Sequence, residues 1–377
     1  MSTVSLVRCE TYEPRELEAS VREAVDLLGG ISCFVRPGDR VLLKPNLLSA
    51  HPPERRITTD PEVVRTVARM VLEAGGSPFI GDSPGLDPFK RVAAKTGMDE
   101  IAHQLGIEIV ELSRPTPVSL PPDAVFKKLE IAYQALSADV VINLPKLKTH
   151  SQMLLTLGVK NLFGTIVAQR KVEWHHMAGV DRDTFGSLHL DIYLAIKPAL
   201  NILDGVWGME GNGPSNGKPR RLSLIAASSD AVALDVGICY LLGVPLRSFP
   251  LYRAARARGI GQTAVDQITF KGESPQAFEI RDFRIPRLDS LDMLPGMFDW
   301  FTKRFLVSKP IQQGDSCTDC GRCTQLCPAD AIQLEDRKIK FDYMQCIRCY
   351  CCQEICPQNG IGFSRGLLVR LLNQFNR

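Results

Sequence analysis

Two stretches near the end of the chain share one cysteine spacing. The first is Cys317-Thr-Asp-Cys320-Gly-Arg-Cys323-Thr-Gln-Leu-Cys327-Pro, and the second is Cys346-Ile-Arg-Cys349-Tyr-Cys351-Cys352-Gln-Glu-Ile-Cys356-Pro. Each reads C-x2-C-x2-C-x3-C-P, and corresponding cysteines lie 29 positions apart (346 − 317). A tight turn with this spacing wraps three thiolates around one iron–sulfur cubane, while the cysteine before proline points to the other cubane. The pattern assigns Cys317, Cys320, Cys323 and Cys356 to one 4Fe–4S cluster. It assigns Cys346, Cys349, Cys352 and Cys327 to a second, and leaves Cys351 over. Paired C-x2-C sites also hold zinc, but zinc sites rarely repeat three cysteines at this spacing with a fourth before proline.

The expectation is a small α+β ferredoxin-type dicluster domain, with two low-potential one-electron carriers close enough for fast transfer between them. Ala331–Phe341 reads as a hairpin turning at Asp336-Arg337, and Ile332 corresponds to Ile361 as apolar cover for the clusters. The chain has 12 cysteines, of which Cys9, Cys33 and Cys239 are scattered and the other nine fall in the last 61 residues. Such crowding indicates metal or redox chemistry more than disulfides. The start lacks a basic region followed by an apolar one, and no run of ~18 apolar residues occurs, so no transmembrane segment is expected and the expected compartment is the cytoplasm. A net charge of +3 on 377 residues gives no reason to expect a nucleic-acid partner.

Upstream, short apolar runs alternate with helical signals. Val41-Leu42-Leu43 reads as a buried strand closed by Pro45-Asn46. Asp60 followed by Pro61 reads as a helix start, with that helix running to Gly75-Gly76. Phe79-Ile80, Ile107–Leu112, Ala138–Leu144, Leu200–Leu203 and Leu222–Ala227 read as further strands. Helices are expected over 88–105, 187–197 and 230–242, and a strand or two over 262–295. This alternation predicts an α/β body with a mostly parallel sheet flanked by helices. The expected organisation is an α/β domain over 1–295, a linker over 296–310, the dicluster domain over 311–364 and a C-terminal helix over 365–377. The aromatic-rich stretch 296–308 reads as a packed helix or a docking element. The C-terminal helix has an apolar face for the body, a partner or a membrane surface.

Several polar blocks carry a family resemblance: Lys44-Pro45-Asn46-Leu47, Gly81-Asp82-Ser83-Pro84-Gly85, Asn143–His150 (NLPKLKTH), Gly158–Gly164 (GVKNLFG), Asp204-Gly205, Gly208–Pro214 (GMEGNGP), and Asp230 with Asp235. In these blocks residues 1 to about 300 resemble the domain of unknown function 362 family, which often carries a ferredoxin module. The resemblance implies a large α/β domain with a polar cleft, and it supplies little chemistry.

The residue types supply more. In parallel α/β sheets functional side chains gather beyond the carboxyl ends of the strands. Lys44, Lys146, Lys148 and Lys160 follow apolar strands and can bind a carboxylate or phosphate as point charges. Asn46, Asn161 and Asn212 can orient such an anion. Asp82, His150 and Glu210 are candidates for proton transfer, with His150 best matched to neutral pH. Each lysine alone also reads as a solvated surface charge, and Asp235 reads equally as a buried hydrogen-bonded residue. His175 and His176 are adjacent and point apart on any regular element, which disfavours a shared metal. Gly211–Lys218 fails as a phosphate loop, with Asn212 in place of glycine and Pro219 where serine or threonine is needed. No nicotinamide or flavin fingerprint is present. The expectation is an iron–sulfur electron-transfer protein serving a redox partner protein or an anionic small-molecule ligand. The alternatives are a ferredoxin-fused reductase working on an anionic substrate, or a redox-sensing binding protein.

Overall fold

The computed structural model describes residues 1–85, 87–167, 170–171, 173–174, 181–278, 280, 282–286 and 308–364. His175, His176, most of the 296–308 stretch and the expected helix over 365–377 lie outside the described residues.

The strands are β1 (Ser2–Arg8), β2 (Arg40–Pro45), β3 (Ser77–Asp82), β4 (Glu108–Glu111), β5 (Pro115–Pro117), β6 (Glu130–Ala132), β7 (Val140–Leu144), β8 (Lys146–His150), β9 (Leu154–Thr156), β10 (Leu200–Glu210), β11 (Lys218–Ser228), β12 (Ile268–Gly272), β13 (Lys309–Gln312), β14 (Ile332–Glu335), β15 (Lys338–Phe341) and β16 (Ile361–Ser364). The main sheet has 10 strands in the order β12-β1-β11-β10-β7-β2-β3-β4, with β8 paired to β10 and β9 to β8. Its strands run parallel except β11 and β9. The α/β class read from the sequence is the observed one.

Helices cover both faces. Along β2, Leu42 enters one apolar core while Val41 and Leu43 enter the other, as the two-residue period of a strand requires. Each such fully buried aliphatic side chain contributes about 1.5–3 kcal/mol. The helix Pro61–Glu73 starts as the sequence predicts: the Asp60 carboxylate accepts the Glu62 N–H at 3.1 Å. The expected helix over 88–105 is two helices, Phe89–Thr96 and Met98–Leu105, because Gly97 between them takes φ +76°. Over 262–295 one strand, β12, is found among the described residues.

Two extensions shape the functional region. β7 leaves the sheet at Pro145 and continues as β8, which runs beside the far half of β10, pairing Asp204 with Lys146 and Met209 with Lys148. β10 itself runs 11 residues, well past the apolar stretch Leu200–Leu203.

The C-terminal module repeats in structure as it does in sequence. β13, the helix Arg322–Leu326 and β14 recur 29 positions later as β15, the helix Cys351–Ile355 and β16 (338 − 309, 351 − 322, 361 − 332). β13 pairs with β16, and β14 pairs with β15. β13 thus begins inside the stretch read as linker. The β14–β15 hairpin turns at Asp336 and Arg337, both with positive φ (48° and 62°), as its tight two-residue connection demands. Ile361 is fully buried against Cys323 and Cys352, with Ile332 packed on the same cluster.

Candidate functional site

A cavity of about 150 Å³ lies between the carboxyl ends of β2 and β3 and the helix Cys351–Ile355 of the module. Lys44, Asn46, Asp82, Lys148, His150, Lys160 and Asn161 all line it. So do Arg55, Lys171, Arg322, Cys351, Glu354 and Cys356.

Lys44 is the penultimate residue of β2 and is fully buried. Its Nζ lies 3.0 Å from Asp82 Oδ1 and donates to the Pro45 carbonyl at 2.6 Å. Asp82, ending β3, also accepts the N–H groups of Leu47 and Ser83, each at 2.7 Å. This acid is therefore committed to holding the two strand-end loops together. Burial pushes the Lys44 ammonium below its ordinary value, and the Asp82 charge pulls it back.

Lys148 differs. Its Nζ donates to Asn46 Oδ1 at 2.8 Å and to the Ile57 carbonyl at 2.7 Å, and both acceptors are neutral. A relay of amides fixes that geometry. Asn46 Nδ2 donates to Asn161 Oδ1 (2.9 Å), and Asn161 Nδ2 donates to Asn143 Oδ1 (2.8 Å). Asn143 Nδ2 in turn donates to Asn201 Oδ1 (2.9 Å). Each amide's orientation is set by the next, so Asn46 must present its oxygen to Lys148. Among the described residues no carboxylate lies within ion-pair distance of Lys148 or Lys160. Burial, then the Lys160 charge, holds the Lys148 ammonium well below the ordinary lysine value. Lys171 donates to the Ser83 carbonyl, and burial lowers it to about 8. A buried cation without a counter-ion is costly, and an anion in the cavity relieves that cost.

His150 Nδ1 accepts the backbone N–H of Gln152 (3.1 Å) and of Met153 (3.2 Å). Its proton therefore sits on Nε2, which lies 3.1 Å from Glu354 Oε1. Ser151 Oγ donates to the same oxygen at 3.1 Å. Burial raises the Glu354 carboxyl, against the pull of Lys160.

Three expected residues stand elsewhere. Lys146 is buried beneath the cavity, its Nζ 2.8 Å from Asp204 Oδ2 and 2.7 Å from the Tyr12 hydroxyl. Glu210 sits at the end of the long β10, where its Oε2 accepts the Arg284 N–H at 3.2 Å and lies 3.6 Å from Arg220. Asn212 follows it, beside Gly211 and Arg182 and outside the cavity wall. Asp235 is hydrogen-bonded: its oxygens accept the N–H groups of Gly158 (2.7 Å) and Val159 (3.2 Å), starting the turn that carries Lys160 and Asn161. Lys171, Arg55 and Glu354 line the cavity without standing in a recognisable polar motif, and Glu354 is hidden inside the second cysteine repeat.

The module meets the body at this cavity. Besides the His150–Glu354 contact, Asn216 Nδ2 donates to the carbonyls of Gln353 (3.2 Å) and Cys356 (3.4 Å), and Arg322 pairs with Asp87 at 3.1 Å. Within the module, Cys317, Cys320, Cys323 and Cys356 together line a small cavity of about 20 Å³. In the other set, burial and the neighbouring Cys349, Cys346 and Cys327 raise the Cys352 thiol well above its ordinary value. Backbone N–H groups point at matching sulfurs, Ala331 at Cys327 (3.2 Å) and Gly360 at Cys356 (3.1 Å). Thiols with N–H···S contacts suit an iron–sulfur centre, although among the described residues no three His, Cys, Asp or Glu side chains stand together as a ready metal-binding group.

Comparison with known proteins follows this division. The family described as "Domain of unknown function (DUF362)" matches residues 41–240, and "4Fe-4S dicluster domain" matches residues 309–357. A thylakoid-associated protein of Synechocystis sp. is 43% identical over 288 residues, covering 76% of this chain and 89% of that one. Pyruvate synthase subunit PorD of Methanocaldococcus jannaschii is 37% identical over 54 residues, 14% of this chain and 63% of its own length. The lactate racemase apoprotein of Thermoanaerobacterium thermosaccharolyticum aligns with a TM-score of 0.40 at 14% identity, over 65% of this chain and 58% of that one. Among the described residues no helix is long and apolar enough to cross a membrane.

Proposed function

The chain belongs to the DUF362 family and carries a 4Fe-4S dicluster domain, and on that premise we propose that it transfers low-potential electrons through two clusters to or from an anionic ligand held between body and module. One observation carries this reading: Cys356, assigned to the first cluster, lines the same cavity as Lys148, Lys160 and Asp82. An electron leaving that cysteine's cluster has a bound ligand as its immediate neighbour.

The proposed holders are Cys317, Cys320, Cys323 and Cys356 for one cluster and Cys346, Cys349, Cys352 and Cys327 for the other. The clusters supply one electron each. The remaining work falls to the chain's own groups. Lys148 and Lys160, and Lys171 beside them, bind and orient the anion. The Lys44–Asp82 pair keeps the strand-end loops in place. The proton on His150 Nε2, shared with Glu354, stands at the cavity wall for transfer to a reduced ligand. This makes the protein an oxidoreductase, a ferredoxin-fused reductase, when the ligand is the final acceptor. The proposed setting is the cytoplasm, where crowded thiols stay reduced until they bind iron.

The test is EPR at low temperature on anaerobically purified protein reduced with dithionite, followed by addition of candidate anions. Two interacting 4Fe–4S signals that disappear as an added anion is reduced support the reading. Protein holding zinc in place of iron and sulfide overturns it.

A further inference from the structure

The two cysteine loops share their backbone and carry opposite charges at one matched position. The position just before the second cysteine is Asp319 in one loop and Arg348 in the other (319 + 29 = 348). Both residues are left-handed, with φ 52° and 59°, so both side chains leave their loops from the same place. The loops match again at Gly321 and Tyr350 (φ 68° and 61°) and at Asp330 and Asn359 (φ 46° and 52°).

Asp319 is exposed. Its Oδ1 lies 4.0 Å from Cys317 Sγ and accepts the Arg337 N–H at 2.8 Å. Arg348 is 4% exposed. Its guanidinium lies 5.1 Å from the centroid of the Tyr343 ring, and its charge acts on the Cys346 thiol. Among the described residues its Nε and Nη1 are buried with no hydrogen-bond partner. An arginine cannot shed its proton, so a buried guanidinium needs negative charge nearby. Four thiolates around a cubane held by Cys346 and its partners would provide that charge.

We propose that Arg348 and Asp319 set the two clusters at different potentials, so that the cluster held by Cys346, Cys349, Cys352 and Cys327 accepts the first electron. The inference rests on the cluster assignment under the proposed function. Reduction adds one negative charge to a cluster and breaks no bond, and the electron comes from an external low-potential donor. A buried positive charge beside the cluster favours the reduced form, and an adjacent carboxylate opposes it. Arg348 exerts the larger effect because it is buried, whereas water and salt screen Asp319; Arg322 beside the first set of cysteines and Glu354 beside Cys349 act in the opposite sense, but Arg322 is paired with Asp87 and Glu354 meets His150. The cluster bordering the cavity through Cys356 is then the stronger reductant of the two.

Redox titration followed by EPR, with iron and sulfide content measured on each sample, decides the matter. The unaltered protein should take up its two electrons in separated steps. R348Q should move the first step to lower potential and narrow the separation, and R348K should restore it. D319N should move the second step upward by less. Samples with about eight irons per chain in which neither R348Q nor D319N moves a step overturn the inference and leave the cluster assignment standing. If R348Q does not keep its clusters, an unmoved second step in D319N, whose side chain is exposed, overturns it just as well. Unaltered protein without iron and sulfide removes the cluster assignment itself.

Discussion

At the scale of single residues, the lysines divide by what faces them. Lys146 is matched by Asp204, whereas Lys148 donates only to neutral oxygens, with Glu354 and Asp82 acting on it from beyond ion-pair distance. Lys148→Ala should leave both EPR signals intact and weaken phosphate or acetate binding by about tenfold to a hundredfold, the worth of a charge-assisted hydrogen bond. Titration calorimetry measures the loss, and a variant that fails to fold would make the lysine structural. Lys146→Met should instead cost about 3–5 kcal/mol of stability in denaturant melts, because it strands a buried carboxylate. The pH dependence has a definite sign. Burial depresses Lys171 to about 8, so the free amine is neutral above that pH and charged below it. A bound anion restores the proton. Anion affinity should therefore fall as pH rises through about 8, with proton uptake on binding visible when calorimetry is repeated in buffers of different ionisation enthalpy.

At the scale of elements, the turn Gly158–Asn161 depends on Asp235, which accepts its first two N–H groups. Asp235→Ala leaves both buried and unpaired, at about 1–3 kcal/mol each. Thermal melts should show the lowered stability, and anion binding should weaken with it because Lys160 and Asn161 ride on that turn. The regular elements were legible in the sequence: Val41-Leu42-Leu43 and Ala138–Leu144 are apolar runs, and Asp60-Pro61 announces a helix. β8 was not, because Lys146-Leu-Lys-Thr-His has the composition of a polar loop and becomes a strand only through its long-range pairing with β10. The end of β10 was misplaced for a related reason. Its apolar run stops at Leu203, but pairing with Lys218–Arg221 carries the strand to Glu210, beyond reach of the cavity. Lys44 and Asp82 converge as their strand-end position suggests, whereas Lys148 reaches the cavity from the middle of β8 and Lys160 from the turn Gly158–Asn161. Glu354 was illegible because nothing local indicates that a module 200 residues downstream of His150 folds back onto it (354 − 150 = 204).

At the scale of the whole molecule, the lysine-lined cavity exists only where body and module meet. Arg322 pairs with Asp87 across that junction, and Asn216 caps the end of the helix Cys351–Ile355. Arg322→Ala should loosen the junction while keeping the clusters: amides over 351–355 should exchange faster with solvent, with the EPR signals unchanged. The residues from Cys352 to Cys356 answer to three requirements at once. Under the proposed assignment Cys352 serves one cluster and Cys356 the other, while Glu354 between them meets His150 and lines the cavity. Inserting or deleting one residue in this helical turn would break all three, whereas the Asp336-Arg337 hairpin turn meets none of them. Over evolutionary time the turn from Cys352 to Cys356 should keep its length while the hairpin drifts. The module could then be replaced by another ferredoxin-like unit only if the newcomer brought an acid at the same point between its cysteines.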